Sequence, residues 1–277
     1  MKRIVIKVGS NVLTRDNGKL DVTRMSAIVD QIAWLRRHDY EVILVSSGAV
    51  ACGRGELKTA CGDGLSDNGS QASPHRGKTG NKLDSVEQRQ LYSALGQVKL
   101  IGLYYDLFRE YGIHIGQVLT MKENFEPGEQ YENQRACMSV MLDNGVLPII
   151  NENDTVSVTE LMFTDNDELS GLIAQMMSAD EMILLTNVDG VYNGKPDNPH
   201  SRVIPSVYWN RDVKDYIIDE KSEMGRGGML TKSNIAHQVA NAGIRVVIAN
   251  GNRDNILIDL IQRPMEIMHT EFVPKPI

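Results

Sequence analysis

The sequence has few of the residues that build disulfide frameworks or metal centres. Three cysteines, Cys52, Cys61 and Cys137, occur among 277 residues, and none lies in a CxxC or Cys/His pattern. An odd number of scattered cysteines is not typical of a disulfide-stabilised secreted protein or of a zinc site. It favours the reducing cytoplasm. HExxH and EF-hand patterns are also missing, so no metal centre built from protein ligands is predicted.

Long apolar runs and an excess of positive charge are missing too. No stretch approaches the roughly 18 apolar residues that a membrane-spanning helix requires, and the apolar run in the N-terminal MKRIVIKVGS is too short for a signal peptide. The formal net charge of −7 argues against a nucleic-acid backbone as the main partner, because such binding needs a basic face. A nucleotide needs only local positive groups. The sequence therefore predicts neither a membrane partner nor a nucleic-acid partner.

What the sequence does contain is a regular alternation of short β-branched runs and segments of helical period. The strands are predicted at 3–8, 41–46, 113–119, 146–151, 182–187 and 244–249, and the helices at 23–37, 86–111, 132–143, 167–178 and 231–242. Several strands are apolar throughout, which is typical of a parallel sheet covered on both faces. The order predicts an α/β fold, a three-layer αβα sandwich with a mainly parallel central sheet, as a single domain over residues 1–277.

One segment, residues 59–82, interrupts this pattern. It contains five glycines and almost no apolar side chains. Such a composition cannot offset the entropy of ordering, so a flexible inserted loop is predicted.

Polar residues follow four of the predicted strands, in the sequences KVGSN, VSSGAV, INEND and LTNVDG. In parallel α/β sheets, ligands bind beyond the carboxyl ends of the strands. The sequence PIINENDTV is the most crowded example, with Asn151, Glu152, Asn153 and Asp154 in a row. These groups are consistent with a capped turn or with a site for a small polar ligand, and this segment alone leaves both open.

Two lysines have neighbours that are typical of anion sites. Lys7 lies inside an apolar strand just before Gly9 and Ser10, and a buried lysine is costly unless it meets an anion. An edge-strand lysine that extends to solvent is the alternative. In MGRGGMLTK, glycines lead into a helix that carries Lys232. A helix N-terminus with a nearby lysine favours phosphate, although a flexible loop before a surface helix has the same composition.

The segment FTDNDELSG places Asp165, Asn166 and Asp167 at a predicted strand-to-helix junction. One of them can be explained as a helix N-cap. The others are then unassigned, and carboxylates near the two lysines would hold both ammonium groups in position. No serine or cysteine has a convincing catalytic base nearby in the sequence.

Six motifs, KVGSNVLT, VSSGAV, LPIINENDTV, TDNDELS, LLTNVDGVY and GRGGMLTK, occur in the order found in the amino acid kinase family, and the chain resembles that family over nearly its whole length. Within the family, INEND followed by DND is similar to the branch that acts on L-glutamate. The resemblance implies the amino acid kinase fold, with a substrate-side lobe at about 1–160 and a nucleotide-side lobe at 161–277. It also implies transfer of phosphate from ATP, with Mg²⁺, to the γ-carboxylate of L-glutamate. The products would be γ-glutamyl phosphate and ADP, in the first step of proline biosynthesis.

The resemblance also implies roles for individual residues. Lys7 and Lys232 would flank the transferring phosphoryl group, and Asp167 would organise these two lysines. The implied substrate-binding residues are Ser47, Gly48, Asp154, Asp165 and Asn166, with Asp154 as the partner of the substrate ammonium group. The implied nucleotide-binding residues are Lys7, Gly9, Ser10, Thr186, Asn187, Arg226, Gly227, Gly228, Met229, Leu230, Thr231 and Lys232.

The resemblance further implies a homo-oligomer, feedback inhibition by proline and a functional link to glutamyl phosphate reductase. The chain is expected to be a short form without the C-terminal PUA domain of many bacterial relatives. Two alternatives are a related kinase acting on N-acetylglutamate, aspartate, carbamate or UMP, and an amino-acid sensor that has lost turnover. Asn187, where the family usually has aspartate, and Arg226, where threonine is commoner, favour the sensor. The presence of Lys7, Lys232 and Asp167 favours an enzyme.

Overall fold

A computed structural model describes residues 1–15, 19–61, 84–156, 163, 165–216 and 228–276, with only the backbone of 58–61. Most of the predicted loop at 59–82 lies outside this part of the chain, as do Arg226 and Gly227.

The described residues form eight strands and eight α-helices, joined in places by short 3-10 turns. The strands are β1 (Lys2–Val8), β2 (Tyr40–Ser46), β3 (Ile115–Thr120), β4 (Leu147–Glu152), β5 (Glu181–Thr186), β6 (Ser206–Tyr208), β7 (Arg245–Asn250) and β8 (Thr270–Val273). The helices are α1 (Ser10–Leu13), α2 (Val22–Arg37), α3 (Ala49–Cys61), α4 (Ser85–Arg109), α5 (Glu129–Asp143), α6 (Asn166–Met176), α7 (Gly228–Asn241) and α8 (Ile256–Gln262).

All eight strands belong to one sheet, in the order β3-β4-β2-β1-β5-β7-β8-β6. The six strands from β3 to β7 are parallel, β8 is antiparallel to β7, and β6 is parallel to β8. Helices cover both faces. The predicted fold class is confirmed.

The core divides into two apolar layers, one on each face of the sheet. On one face, α2, α4 and α8 pack against residues such as Ile4 and Ile6 of β1. On the other face, α5, α6 and α7 pack against residues such as Val5. Because side chains alternate along a strand, Lys7 projects to the same face as Val5. The period of β1 thus directs this lysine toward α6 and α7.

Six features of the fold differ from the sequence prediction, and two of them are the short helices α1 and α8, which were not predicted. The short strands β6 and β8 were not expected, because three or four residues are too few to show a strand period. The helix α3 was not expected either, since Gly53 and Gly55 are poor helix formers. The predicted loop begins at Thr59, whereas α3 continues to Cys61. That boundary is wrong, because the helix-forming Leu57, Lys58 and Ala60 extend the helix.

In the part of the chain that the structure describes, no helix combines the length and the apolar character needed to span a bilayer.

Candidate active site

The carboxyl ends of β4, β2, β1 and β5 lie side by side, because these strands are neighbours in the sheet. The chain turns sharply after β2, where Ser47 donates its backbone N–H to the carbonyl of Val8 at 3.1 Å. Gly48 has a φ of 107° there, a backbone conformation that favours glycine. This turn leads directly into α3 and brings Ser47 to the end of β1.

A cluster of three charged residues, Lys7, Asp167 and Lys232, lies at the centre of these strand ends. The ammonium group of Lys7 is 2.6 Å from Oδ1 of Asp167, and that of Lys232 donates a hydrogen bond to Oδ2 of the same carboxylate. The three residues are 6%, 2% and 7% exposed. The structure thus brings together the residues predicted to be catalytic, although they come from β1, α6 and α7.

The charges in this cluster depend on one another. Burial raises the pKa of Asp167, but Lys7 and Lys232 outweigh that effect and the pKa lies below its ordinary value. Burial lowers the pKa of Lys232, and Lys7 lowers it further, against the opposing effect of Asp167. Asp167 therefore stays ionised and favours the charged form of Lys232.

Asp165 and Asn166 fix the N-terminus of α6. Oδ1 of Asp165 accepts the backbone N–H groups of Asp167 at 2.9 Å and Glu168 at 3.2 Å, so the N-cap explanation holds for this residue. Burial raises the pKa of Asp165, and the negative charge of Asp167 adds to the shift. The side-chain amide of Asn166 donates to Ser47 Oγ at 2.7 Å and to Asn151 Oδ1 at 3.0 Å. These bonds connect α6 to the ends of β2 and β4.

A cavity of about 400 Å³ opens beside the charged cluster, toward β5 and α7. Eight of the predicted nucleotide-binding residues line it: Lys7, Gly9, Ser10, Thr186, Asn187, Gly228, Met229 and Lys232. Leu230 and Thr231 lie in α7 but are not among the described residues that line the cavity. A methyl group at Gly9 would lie 3.3 Å from Lys7 Nζ, so glycine leaves room for that ammonium group.

The segment after β5 also lines this cavity, and the sequence prediction missed this contribution. Tyr192, Gly194, Lys195 and Pro196 all line the cavity. The motif LLTNVDGVY gave a signal as far as Tyr192, but nothing in the composition of the following residues pointed to a binding site.

A second cavity, of about 420 Å³, lies beside the ends of β2 and β4. All five predicted substrate-binding residues line it: Ser47, Gly48, Asp154, Asp165 and Asn166. Four residues, Ser10, Ser47, Asp165 and Asn166, line both cavities. The two cavities therefore meet next to the charged cluster, as transfer of a group between two bound molecules requires.

Two arginines in the second cavity were not predicted from the sequence. Arg54 of α3 lies over the ring of Tyr92, with its guanidinium carbon 5.7 Å from the ring centroid. Arg89 of α4 forms ion pairs with Asp154 and Glu152. Its 65-residue separation from Asp154 leaves no local pattern that would reveal the contact.

A model of the amino acid kinase family matches residues 2–250. The chain belongs to the amino acid kinase family. The glutamate 5-kinase of Bacteroides thetaiotaomicron is 59% identical over 272 residues, which cover 98% of this chain and 70% of that protein. The glutamate 5-kinase of Chlorobaculum tepidum is 46% identical over 257 residues, which cover 92% of this chain and 65% of that protein. The chain thus spans about two thirds of the length of these family members. The predicted family and kinase class are confirmed.

Two solved structures share the fold at low sequence identity. A carbamate kinase from Giardia lamblia bound to AMP-PNP has a TM-score of 0.67 and 15% identity, and each chain is covered to 99%. A UMP kinase from Ureaplasma parvum has a TM-score of 0.62 and 14% identity, and each chain is covered to 98%. At this identity the similarity bears on the fold alone.

Proposed function

We propose that this chain is a glutamate 5-kinase that transfers the γ-phosphoryl group of ATP to the γ-carboxylate of L-glutamate. The observation that carries the proposal is the buried cluster of Lys7, Asp167 and Lys232 at the point where two cavities meet. The two relatives named as glutamate 5-kinases support the choice of substrate.

The chemistry of this reaction fits a site without a general base. A γ-carboxylate is ionised at neutral pH and is itself the nucleophile. Phosphoryl transfer then depends on positioning the reactants and on stabilising the negative charge of the transferring group. Lys7 and Lys232 supply that positive charge, and Asp167 keeps both ammonium groups at one position. Because the cluster is buried, its electrostatic effect is stronger than in water.

In this proposal, glutamate occupies the cavity beside β2 and β4. Asp154 accepts the substrate ammonium group, and the backbone N–H groups around Gly48 receive the α-carboxylate. Arg54 adds a positive charge to the wall of the same cavity. Ser47 and Asn166 line both cavities, and their side-chain donors hold the γ-carboxylate next to the phosphate.

ATP occupies the cavity beside β5 and α7, with its phosphates near Lys7, Lys232 and the segment from Gly9 to Ser10. Mg²⁺ is held chiefly by the ATP phosphates, as is common for this ion. This fits the residues present, since Asp167 is engaged by two lysines and Asp165 caps α6. Among the described residues, no three His, Cys, Asp or Glu side chains form a group that would hold a metal ion.

The remaining expectations stay predictions. They are homo-oligomer assembly, feedback inhibition by proline, a link to glutamyl phosphate reductase, a cytoplasmic location and the division into lobes near residue 160.

The experiment is an assay of ADP release with ATP and Mg²⁺ and a panel of acceptors: glutamate, N-acetylglutamate, aspartate, carbamate and UMP. Hydroxylamine in a parallel reaction converts an acyl phosphate product into a hydroxamate. We expect glutamate to be preferred and to give the hydroxamate, with neither product formed by Lys232→Ala. Preference for another acceptor contradicts the proposal. Glutamate binding by calorimetry without ADP release would identify a sensor instead.

A further inference from the structure

We infer that Arg89 is a positioning residue, which holds the carboxylate of Asp154 in the orientation that receives the ammonium group of the acceptor. The inference rests on the proposed function and adds to it a residue that determines specificity. It is drawn from the contacts between the N-terminal part of α4 and the turn that follows β4.

Two nitrogens of Arg89 donate to the same oxygen of Asp154. Nε and Nη2 of Arg89 donate to Oδ1 of Asp154 at 2.9 Å and 2.6 Å. Asp154 is 6% exposed, so its carboxylate would be costly to bury without this counterion. The planar guanidinium fixes the position of Oδ1, which a flexible ammonium group would do less well, and the hydroxyl of Ser93 on Oδ2 then sets the direction of the carboxylate.

The other oxygen of Asp154 remains able to accept a further donor. Among the described residues, Ser93 Oγ is the donor to Oδ2, at 3.1 Å. A carboxylate oxygen accepts two hydrogen bonds. Because both Arg89 donors are on Oδ1, an ammonium group in the cavity can bind Oδ2 without displacing the arginine.

Arg89 also neutralises a second carboxylate in the same wall. Its Nη2 donates to Oε2 of Glu152 at 3.1 Å, and the backbone N–H of Phe163 donates to Oε1 at 3.1 Å. Glu152 is 4% exposed. Without Arg89, two buried carboxylates would repel each other across the turn, and Asp154 would lose its orientation.

The helix that carries Arg89 is itself well anchored. Asp84 and Glu87 form a capping box at the start of α4, and Gln90 Nε2 donates to the carbonyl of Thr155 at 3.1 Å. Side chains from the first turns of α4 thus contact the turn after β4 at several points. This fixes the position of Arg89 relative to the cavity.

The test compares two acceptors in the variant Arg89→Met. Glutarate has both carboxylates of glutamate but no ammonium group, and its affinity is measured as the constant for competitive inhibition against glutamate. We expect the glutamate KM to rise roughly tenfold, because the buried carboxylate of Asp154 loses a counterion that is itself partly exposed. The kcat, the ATP KM and the glutarate inhibition constant should stay within about threefold of the wild type. Arg89→Lys keeps the charge and should restore part of the glutamate affinity.

Arg109→Met is the matched control, because Arg109 lies on the same helix. Within the described part of the chain, its ion pairs are with exposed carboxylates. If Arg89→Met weakens the binding of glutarate and glutamate equally, Arg89 binds the acceptor carboxylates. If the variant has a lower glutamate KM, Arg89 competes with the substrate ammonium group for Asp154. Either result, or no change, overturns the inference. If Arg89→Met does not fold, the same comparison is made with Arg89→Lys and Ser93→Ala, and an unchanged glutamate KM in both overturns it. A wild-type protein that does not phosphorylate glutamate contradicts the proposed function instead.

Discussion

At the scale of single residues, Asp167 controls the charge of the proposed catalytic cluster. We expect Asp167→Asn to lower kcat by roughly 10²–10³, because two buried ammonium groups would lose the carboxylate they share. Burial and Lys7 already lower the pKa of Lys232, and loss of the Asp167 charge lowers it further. Lys232 is charged only below its pKa, so the decline of kcat on the basic side should begin at a lower pH. The measurement is the pH profile of kcat.

The control for this prediction is Glu168→Gln on the same helical turn. Glu168 pairs with Lys122 at 2.7 Å, outside the cluster, and its replacement should leave the basic side of the profile in place. An Asp167→Asn profile that falls in height without moving along the pH axis would show that the Asp167 charge does not keep Lys232 protonated.

The site was predictable where local sequence carries the signal. Lys7, Asp167 and Lys232 were found because each lies next to a strand end or a helix start with polar or glycine neighbours. Arg89 was not found, because its role depends on Asp154, which is distant in sequence and is brought near only where α4 meets the turn after β4. Sequence period places a side chain on a face, and it does not identify a distant partner on that face.

At the scale of whole elements, α3 and α4 pack closely through two glycines. A methyl group on Gly96 would lie 1.7 Å from the carbonyl oxygen of Ala49, and one on Gly53 would lie 1.8 Å from that of Tyr92. Gly96→Ala should therefore lower the free energy of unfolding by about 1–3 kcal/mol, even though alanine is the better helix former. Because α3 and α4 line the proposed glutamate cavity, the glutamate KM should rise more than the ATP KM.

Gly102→Ala on the same helix is the matched control for this packing argument. Nothing lies within 4 Å of a methyl group at Gly102, so the variant should gain up to about 1 kcal/mol from helix propensity. Urea unfolding of both variants measures the two effects. Changes of the same sign in both would contradict the role of close packing at Gly96.

The predicted strands and helices all occur, to within three residues at each end. Most of the six parallel strands were predictable because burial on both faces makes them largely apolar, and the edge strand β3 (Ile115–Thr120) is less buried. The strands β8 and β6 at the other side of the sheet were not predictable, because they gain their stability from neighbours that lie far away in the chain. For α3, helix propensity is poor at the two glycines, and the contact with α4 decides the structure instead.

At the scale of the whole molecule, the buried charges lie at both ends of the sheet. The proposed catalytic cluster lies at the carboxyl ends of the strands, and Glu181 lies at the amino end of β5. Glu181 is fully buried and pairs with Lys2 at 2.7 Å and with Arg245, which also binds Glu271 at 2.8 Å. These pairs join the first residues of β1, β5 and β7.

This separation predicts that stability and catalysis can be changed independently. Glu181→Gln removes the carboxylate that pairs with Arg245 and Lys2. We expect the free energy of unfolding to fall by about 3 kcal/mol. This is near the low end for a broken buried pair, because Lys2 is partly exposed. The kcat and both KM values should stay as in the wild type, since the site lies at the opposite end of the strands. Urea unfolding and steady-state kinetics on the same preparation provide the test. Altered kinetics below the unfolding transition would show that the two ends of the sheet are coupled.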